Sequence, residues 1–208
     1  MFEASKIDAT APEDARDKSV RQTLIRASEL VRASSTLSLE NNHLSTSILA
    51  RALLENLILI LWLMQKKSNP RELEDAGTSE VTRAARINLE NGKIKIKNKL
   101  NGNDETKAFL NLEKFKNIPK RKSIATYAQE ADVSDLYNVF YRFLSLDTHG
   151  HEVQINKEQN IQSIEDMQCI GALAMAVGHA GTKWLLNRQL TDNETLRKLL
   201  GLDNAETF

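Results

Sequence analysis

The sequence predicts an all-α fold. Three observations carry this: strand-like alternation is nearly absent, helix-forming residues dominate, and only three prolines (Pro12, Pro70, Pro119) interrupt 208 residues. Each proline stands where a helix can begin, because its missing N–H is unneeded in the first turn. The expected architecture is a single-domain helical bundle around one central apolar helix. Residues 1–10 form an N-terminal tail and 11–208 the helical domain.

The first helix is expected from Pro12 to about Leu39, with Glu13 and Asp14 near its positive end. Val20, Leu24, Ala27 and Val31 mark its apolar stripe, and Asn41 and Asn42 break it. The second helix runs from about Leu44 to Lys66. It is apolar on most sides and is therefore the core helix. Asn69 caps a third helix that has Pro70 at its first position and Gly92 just past its end. Lys93-Ile-Lys-Ile-Lys-Asn-Lys-Leu100 alternates strictly, as either a short strand or the start of an exposed basic helix. After the turn Asn101–Asp104, Asp104 can cap a helix through Phe115. Ser123 can cap Ile124 to Ala131. Ser134 or Asp135 opens a helix that ends near His149-Gly150. A long helix from about Ile164 to Arg188 and a last short one after Thr191 or Asp192 complete the chain.

Lys+Arg and Asp+Glu number 28 each, so no net field draws the chain to nucleic acid or membrane. The single cysteine, Cys169, rules out an intrachain disulfide. The N-terminus lacks the basic-then-apolar layout of a signal peptide. Leu57 to Met64 is too short for a bilayer, which needs about 20 residues. The expectation is a soluble, cytoplasmic protein that does not engage a membrane.

Arg51 and Glu55 stand out in this frame. They lie four apart inside the apolar run Ser47–Met64 and share one helix face. Charges in a core helix are costly unless they pair or meet polar partners. Two readings follow: a structural ion pair that fixes helix packing, or the charged wall of a site in which Glu55 orients a cation.

A second group is Tyr141, Ser145 and His149, which recur every four residues on one helix face, with Arg142 beside them. Gly150 would end the helix and place His149 in its last turn, where the negative helix end favours the protonated ring. Such a histidine suits general acid–base work. The structural alternative is a hydrogen-bonding network that locks the helix end.

Other signals are weaker. His149, His151, Cys169 and His179 lack the His-x-x-x-His or Cys-x-x-Cys spacing of a zinc site, so no metal and no cofactor are implied. From Lys93 to Lys122 ten Lys/Arg face three acids, either a solvated surface or a phosphate-binding one. No phosphate-binding glycine loop or nucleophile elbow is present. The small-residue run Gly171–Gly178 would permit close helix packing, including a dimer seam.

Together, Arg51-x-x-x-Glu55 and Tyr141-x-x-x-Ser145-x-x-x-His149, with Ile124–Ala131 between them, resemble a largely uncharacterised bacterial all-helical family over roughly residues 20 to 185. More distantly, Arg142 and His149, with six residues between them, resemble the motif of the HEPN superfamily of helical ribonucleases. That resemblance implies a homodimer cleaving RNA without metal, of the toxin or phage-defence type, and a possible cognate antitoxin. His149 would be the general acid/base and Arg142 would stabilise the phosphorane-like charge. Arg51 would add a phosphate contact with Glu55 orienting it, and Tyr141 and Ser145 would position the groups. Phe143 departs from the pattern, since Asn, Asp or His often follows the HEPN arginine. The alternative is a non-catalytic binding or scaffold protein whose polar residues lock the core or bind a small ligand.

Overall fold

The computed structural model describes residues 14–116, 118, 120–142, 144 and 159–188, without the side chains of Lys114, Lys116 and residues 159–164. The helices are α1 (Ala15–Leu39), α2 (His43–Gln65), α3 (Asn69–Glu90), α4 (Thr106–Leu110), α5 (Glu113–Lys116), α6 (Ile124–Glu130), α7 (Ser134–Leu136) and α8 (Gln159–Asn187). Alpha-helix gives way to a wider π turn at Tyr137–Tyr141, directly after α7. The class is all-α. Contacts gather into two compact units, one of residues 1–69 and 124–208, the other of 70–123.

In the first unit, α1, α2 and α8 pack against one another, and α6 packs on α2. The core helix is α2, as its composition demands: Leu53, Leu54, Ile58, Ile60, Trp62 and Leu63 are all fully buried. By length and composition α2 and Glu165–Asn187 of α8 could each cross a membrane, a test the core helix of a soluble protein also passes. The stripe on α1 is Val20, Leu24 and Ala27, continued by buried Ser34 and Ser38. Ser34 donates its hydroxyl to the Leu30 carbonyl at 2.7 Å, so burial leaves that hydroxyl satisfied.

Local chemistry sets the ends. Asp14 caps α1 through the amides of Arg16 and Asp17, and Asp17 returns a contact to the Asp14 amide. This reciprocal box satisfies the first amides of the helix. Asp17 is itself buried. It accepts from Trp184 Nε1 at 3.0 Å and Arg188 Nε at 3.1 Å, joining the start of α1 to the end of α8. Asn42 caps α2 by accepting from the Ser45 amide. Asn69 is buried and donates to the Trp62 carbonyl at 2.6 Å, fixing the turn from α2 to α3.

The small-residue run on α8 proves less telling than a glycine beyond it. Gly171 has open space where a Cβ would stand, whereas a Cβ on Gly181 would lie 2.6 Å from Cδ2 of buried Leu24. Gly181→Ala raises helix propensity by about 1 kcal/mol. Overpacking costs about 1–3 kcal/mol. The expected net result is a loss of roughly 1 kcal/mol, read as a lower urea midpoint with unchanged slope.

In the second unit, α3 ends at Gly92, whose φ of 68° is the left-handed conformation that glycine tolerates. The alternating lysine segment then forms neither a helix nor a full strand. It makes one antiparallel bridge, Lys97 with Asp104, and closes a hairpin through Glu105 N to Ile96 O at 2.8 Å. Asp104 accepts from the Thr106 amide at 2.9 Å and opens α4. The expected helix through Phe115 is broken between α4 and α5, where Phe109 and Phe115 bring their ring centroids to 5.0 Å. Arg86 of α3 donates to the Phe115 carbonyl, and Lys122 pairs with Glu72 at 2.5 Å.

Candidate functional site

Arg51 and Glu55 sit mid-way along α2 and are both half-buried. Arg51 Nε lies 3.5 Å from Glu55 Oε1, the ion pair that the spacing predicts. The guanidinium also reaches across to the π turn. Its NH2 donates to Tyr141 Oη at 2.5 Å, and Cζ stands 4.5 Å from the centre of the Tyr141 ring. Tyr137 stacks on the Tyr141 ring, with centroids 4.7 Å apart and planes 22° from parallel. The charges in the apolar helix are thus answered by a phenol and two stacked rings, and α2 and the Tyr141 segment face each other.

The π turn makes this stack. Four residues in an α-helix already bring side chains onto one face. The wider turn at Tyr137–Tyr141 adds room for two rings side by side, and such turns are frequent at functional sites. Arg142 follows at once. It is exposed and makes no hydrogen bond or ion pair with another described side chain. Val139 and Phe140 beside it are also exposed, at 61% and 50%. Ser145, His149 and His151 lie outside the described residues.

Burial pushes the Tyr141 phenol above its ordinary range and Glu55 adds to this, outweighing the hydrogen bond from Arg51. The phenol therefore stays protonated and serves as an acceptor for Arg51 and a donor elsewhere. The folded state holds this proton more tightly than the unfolded chain. Stability from this group is full below about pH 10 and is lost as pH rises from there through the folded value. Tyr141→Phe removes the acceptor while keeping the ring. Arg51 is part-exposed and can turn to water, so the expected cost is about 1 kcal/mol, with the alkaline loss correspondingly smaller. Denaturant melts at pH 7 and above pH 10 measure both.

Three pairings escape sequence reasoning because their partners are far apart in the chain. Trp62 Nε1 donates to Glu130 Oε2 at 2.7 Å, with its ring 4.6 Å from Tyr127. The second is the Asp17–Trp184–Arg188 cluster. In the third, His43, the first residue of α2, places Nδ1 2.8 Å from Asp166 Oδ2 on α8. Cys169 lies one turn beyond Asp166. Burial raises its thiol, and the Asp166 charge adds to that, so it is no activated nucleophile. Among the described residues no group of three or more His, Cys, Asp or Glu is placed to hold a metal.

The first unit also holds a cleft of about 550 Å³. Leu57, Leu61, Val133, Leu136 and Ala180 form its apolar walls, and His179 and Lys183 add polar groups. This is within the range of small-molecule pockets.

The protein is thus all-helical, with an Arg51–Glu55 pair on its core helix facing two stacked tyrosines in a π turn. The sequence matches a family of unknown function, DUF5677, over residues 17–162, and the chain belongs to that family. No curated protein and no solved structure matches it significantly.

Proposed function

We propose that this protein is a dimeric, metal-independent endoribonuclease of the HEPN-like toxin or phage-defence type. The observation that carries the reading is the exposed group Val139, Phe140 and Arg142. An exposed guanidinium, without a partner among the described residues, beside two solvent-facing apolar side chains is what a symmetric interface with a shared phosphate site needs. Behind it, Arg51, Glu55 and the stacked tyrosines form a rigid support.

In the proposed chemistry one His149 takes the proton of an RNA 2′-hydroxyl. That oxygen attacks the adjacent phosphorus, the bond to the 5′-oxygen breaks, and the second protomer's His149 protonates the leaving oxygen. Arg142 steadies the charge that builds on the phosphoryl oxygens. Ser145 positions the reacting groups.

The test is RNA cleavage by the purified chain in EDTA, together with growth arrest on expression. Phe140→Glu is expected to give a monomer that cleaves no RNA and keeps the wild-type circular dichroism spectrum. A wild-type chain that neither cleaves RNA nor arrests growth overturns the reading. One observation favours a non-catalytic binding protein instead: the apolar cleft with His179 and Lys183. On that reading a small amphipathic carboxylate raises the melting temperature, and filling the cleft by Ala176→Trp abolishes the rise.

A further inference from the structure

The zero net charge of the chain hides a division. Residues 70–123 carry 13 Lys/Arg and 8 Asp/Glu, while the rest carries 15 and 20. The positive unit holds its densest charge in the hairpin that follows α3. Lys93, Lys95, Lys97 and Lys99 alternate with Ile94, Ile96 and Asn98. All four lysines are exposed, and none makes an ion pair among the described residues.

Of the hairpin's acids, Asp104 lies near enough for its charge to feel Lys95 and Lys97, and both acids are held by local hydrogen bonds. Asp104 binds the Thr106 amide, and Glu105 accepts from Asn98 Nδ2 at 2.6 Å. Around the bridge of Lys97 with Asp104 the chain is extended, so alternate residues share a side and stand about 6.6 Å apart. Ile96 is held on the inner side, where its amide bonds Thr106 Oγ1 at 3.0 Å and its carbonyl accepts from Glu105. Lys95 and Lys97 are therefore presented on one side by a hydrogen-bonded support, with Lys93 at the bend before them and Lys99 in the turn after. At the hairpin tip Leu100 is 97% exposed.

We infer that this hairpin is a docking strip for the phosphate backbone of single-stranded RNA. The inference rests on the nuclease reading for the identity of the polymer. A row of ammonium groups suits a chain of phosphates, because Lys acts as a point charge without the geometric demands of a guanidinium. An extended row fits a flexible single strand, whose backbone can follow it. The hairpin carries no aromatic side chain on which bases could stack, so the strip reads charge and not sequence. It would hold substrate by its backbone and leave the choice of cleavage position to the Arg142 region.

The test uses the full chain carrying Arg142→Ala, so that RNA survives the measurement. Binding of a labelled 20-nucleotide oligouridylate is followed by anisotropy between 50 and 200 mM salt. Each phosphate contact contributes about 0.7 to the slope of log affinity against log salt. Adding K93Q, K95Q, K97Q and K99Q is expected to flatten the slope by about 2–3 and weaken binding at least about tenfold at low salt. Replacing the four lysines with arginine should preserve both. An unchanged slope and affinity in the glutamine variant overturns the inference, as does binding of phosphatidylserine vesicles but not RNA. Cleavage by the wild-type chain is scored separately. Cleavage without a lysine effect sinks the strip and leaves the nuclease. Lysine-dependent binding without cleavage sinks the nuclease and leaves the strip.

Discussion

Arg142→Ala is expected to lower the rate of RNA cleavage by about 10²–10³, and His149→Ala by about 10²–10⁴. The two effects have different origins. Arginine stabilises charge that grows on the phosphoryl group, so Arg142→Lys should restore only part of the rate, because an ammonium lacks the planar fork. Histidine moves protons, so its loss should flatten the pH–rate profile as well as lower it. The double variant should be little worse than the poorer single one, since groups that act as a unit are not additive. Arg142 is exposed and free of described partners, so its truncation should leave the thermal midpoint unchanged. If Arg142→Ala cleaves RNA at the wild-type rate, the catalytic role assigned to it is wrong.

The second large effect concerns stability. Trp62 is fully buried, packs its ring at a tilt against Tyr127 and donates to Glu130, tying α2 to α6. Trp62→Ala removes a whole ring from the core and is expected to cost about 3–5 kcal/mol. Domains are stable by only about 5–15 kcal/mol, so this variant should be partly unfolded at moderate temperature. Trp62→Phe keeps most of the packing and loses the N–H donor, with an expected cost of about 1–2 kcal/mol. Guanidinium unfolding separates the two. A wild-type midpoint for Trp62→Ala would contradict the packing described for α2 and α6.

What could be read from the chain alone follows from what is local. The central helix is legible because a long apolar run with few polar residues has one place to go, the core. The Arg51–Glu55 pair is legible because four residues span one helical turn. Gly92 announces a helix end through backbone chemistry confined to a few residues, whereas Asn69, expected to cap α3, is its first residue and donates its side chain to the Trp62 carbonyl. The encounter of Arg51 with Tyr141 is half-legible: a charge in a buried helix demands a partner, and a nearby tyrosine stripe is a reasonable source.

Other features depend on distant residues. Asp17 looks like an ordinary first-turn acid, yet it anchors Trp184 and Arg188 from the far end of α8. Nothing in the neighbourhood of His43 points to Asp166. Gly181 matters only because Leu24 comes to lie against it. The lysine alternation marks an extended or helical segment equally well until Asp104 and Glu105 close the hairpin. Nor does any residue type between Tyr137 and Tyr141 demand a π turn.

That turn has a consequence for the phase of the chain beyond it. A π turn accommodates one residue more than an α-helical turn of the same rise. Each residue in a regular helix advances about 100° around the axis. Were the same five residues Tyr137–Tyr141 wound as regular α-helix, Arg142 would stand roughly a quarter turn away relative to Ser134 and Asp135. The surplus residue thus works as a rotational offset. It sets the compass bearing of Arg142, and a single-residue deletion would close the turn to regular α-helix with that bearing nearly kept.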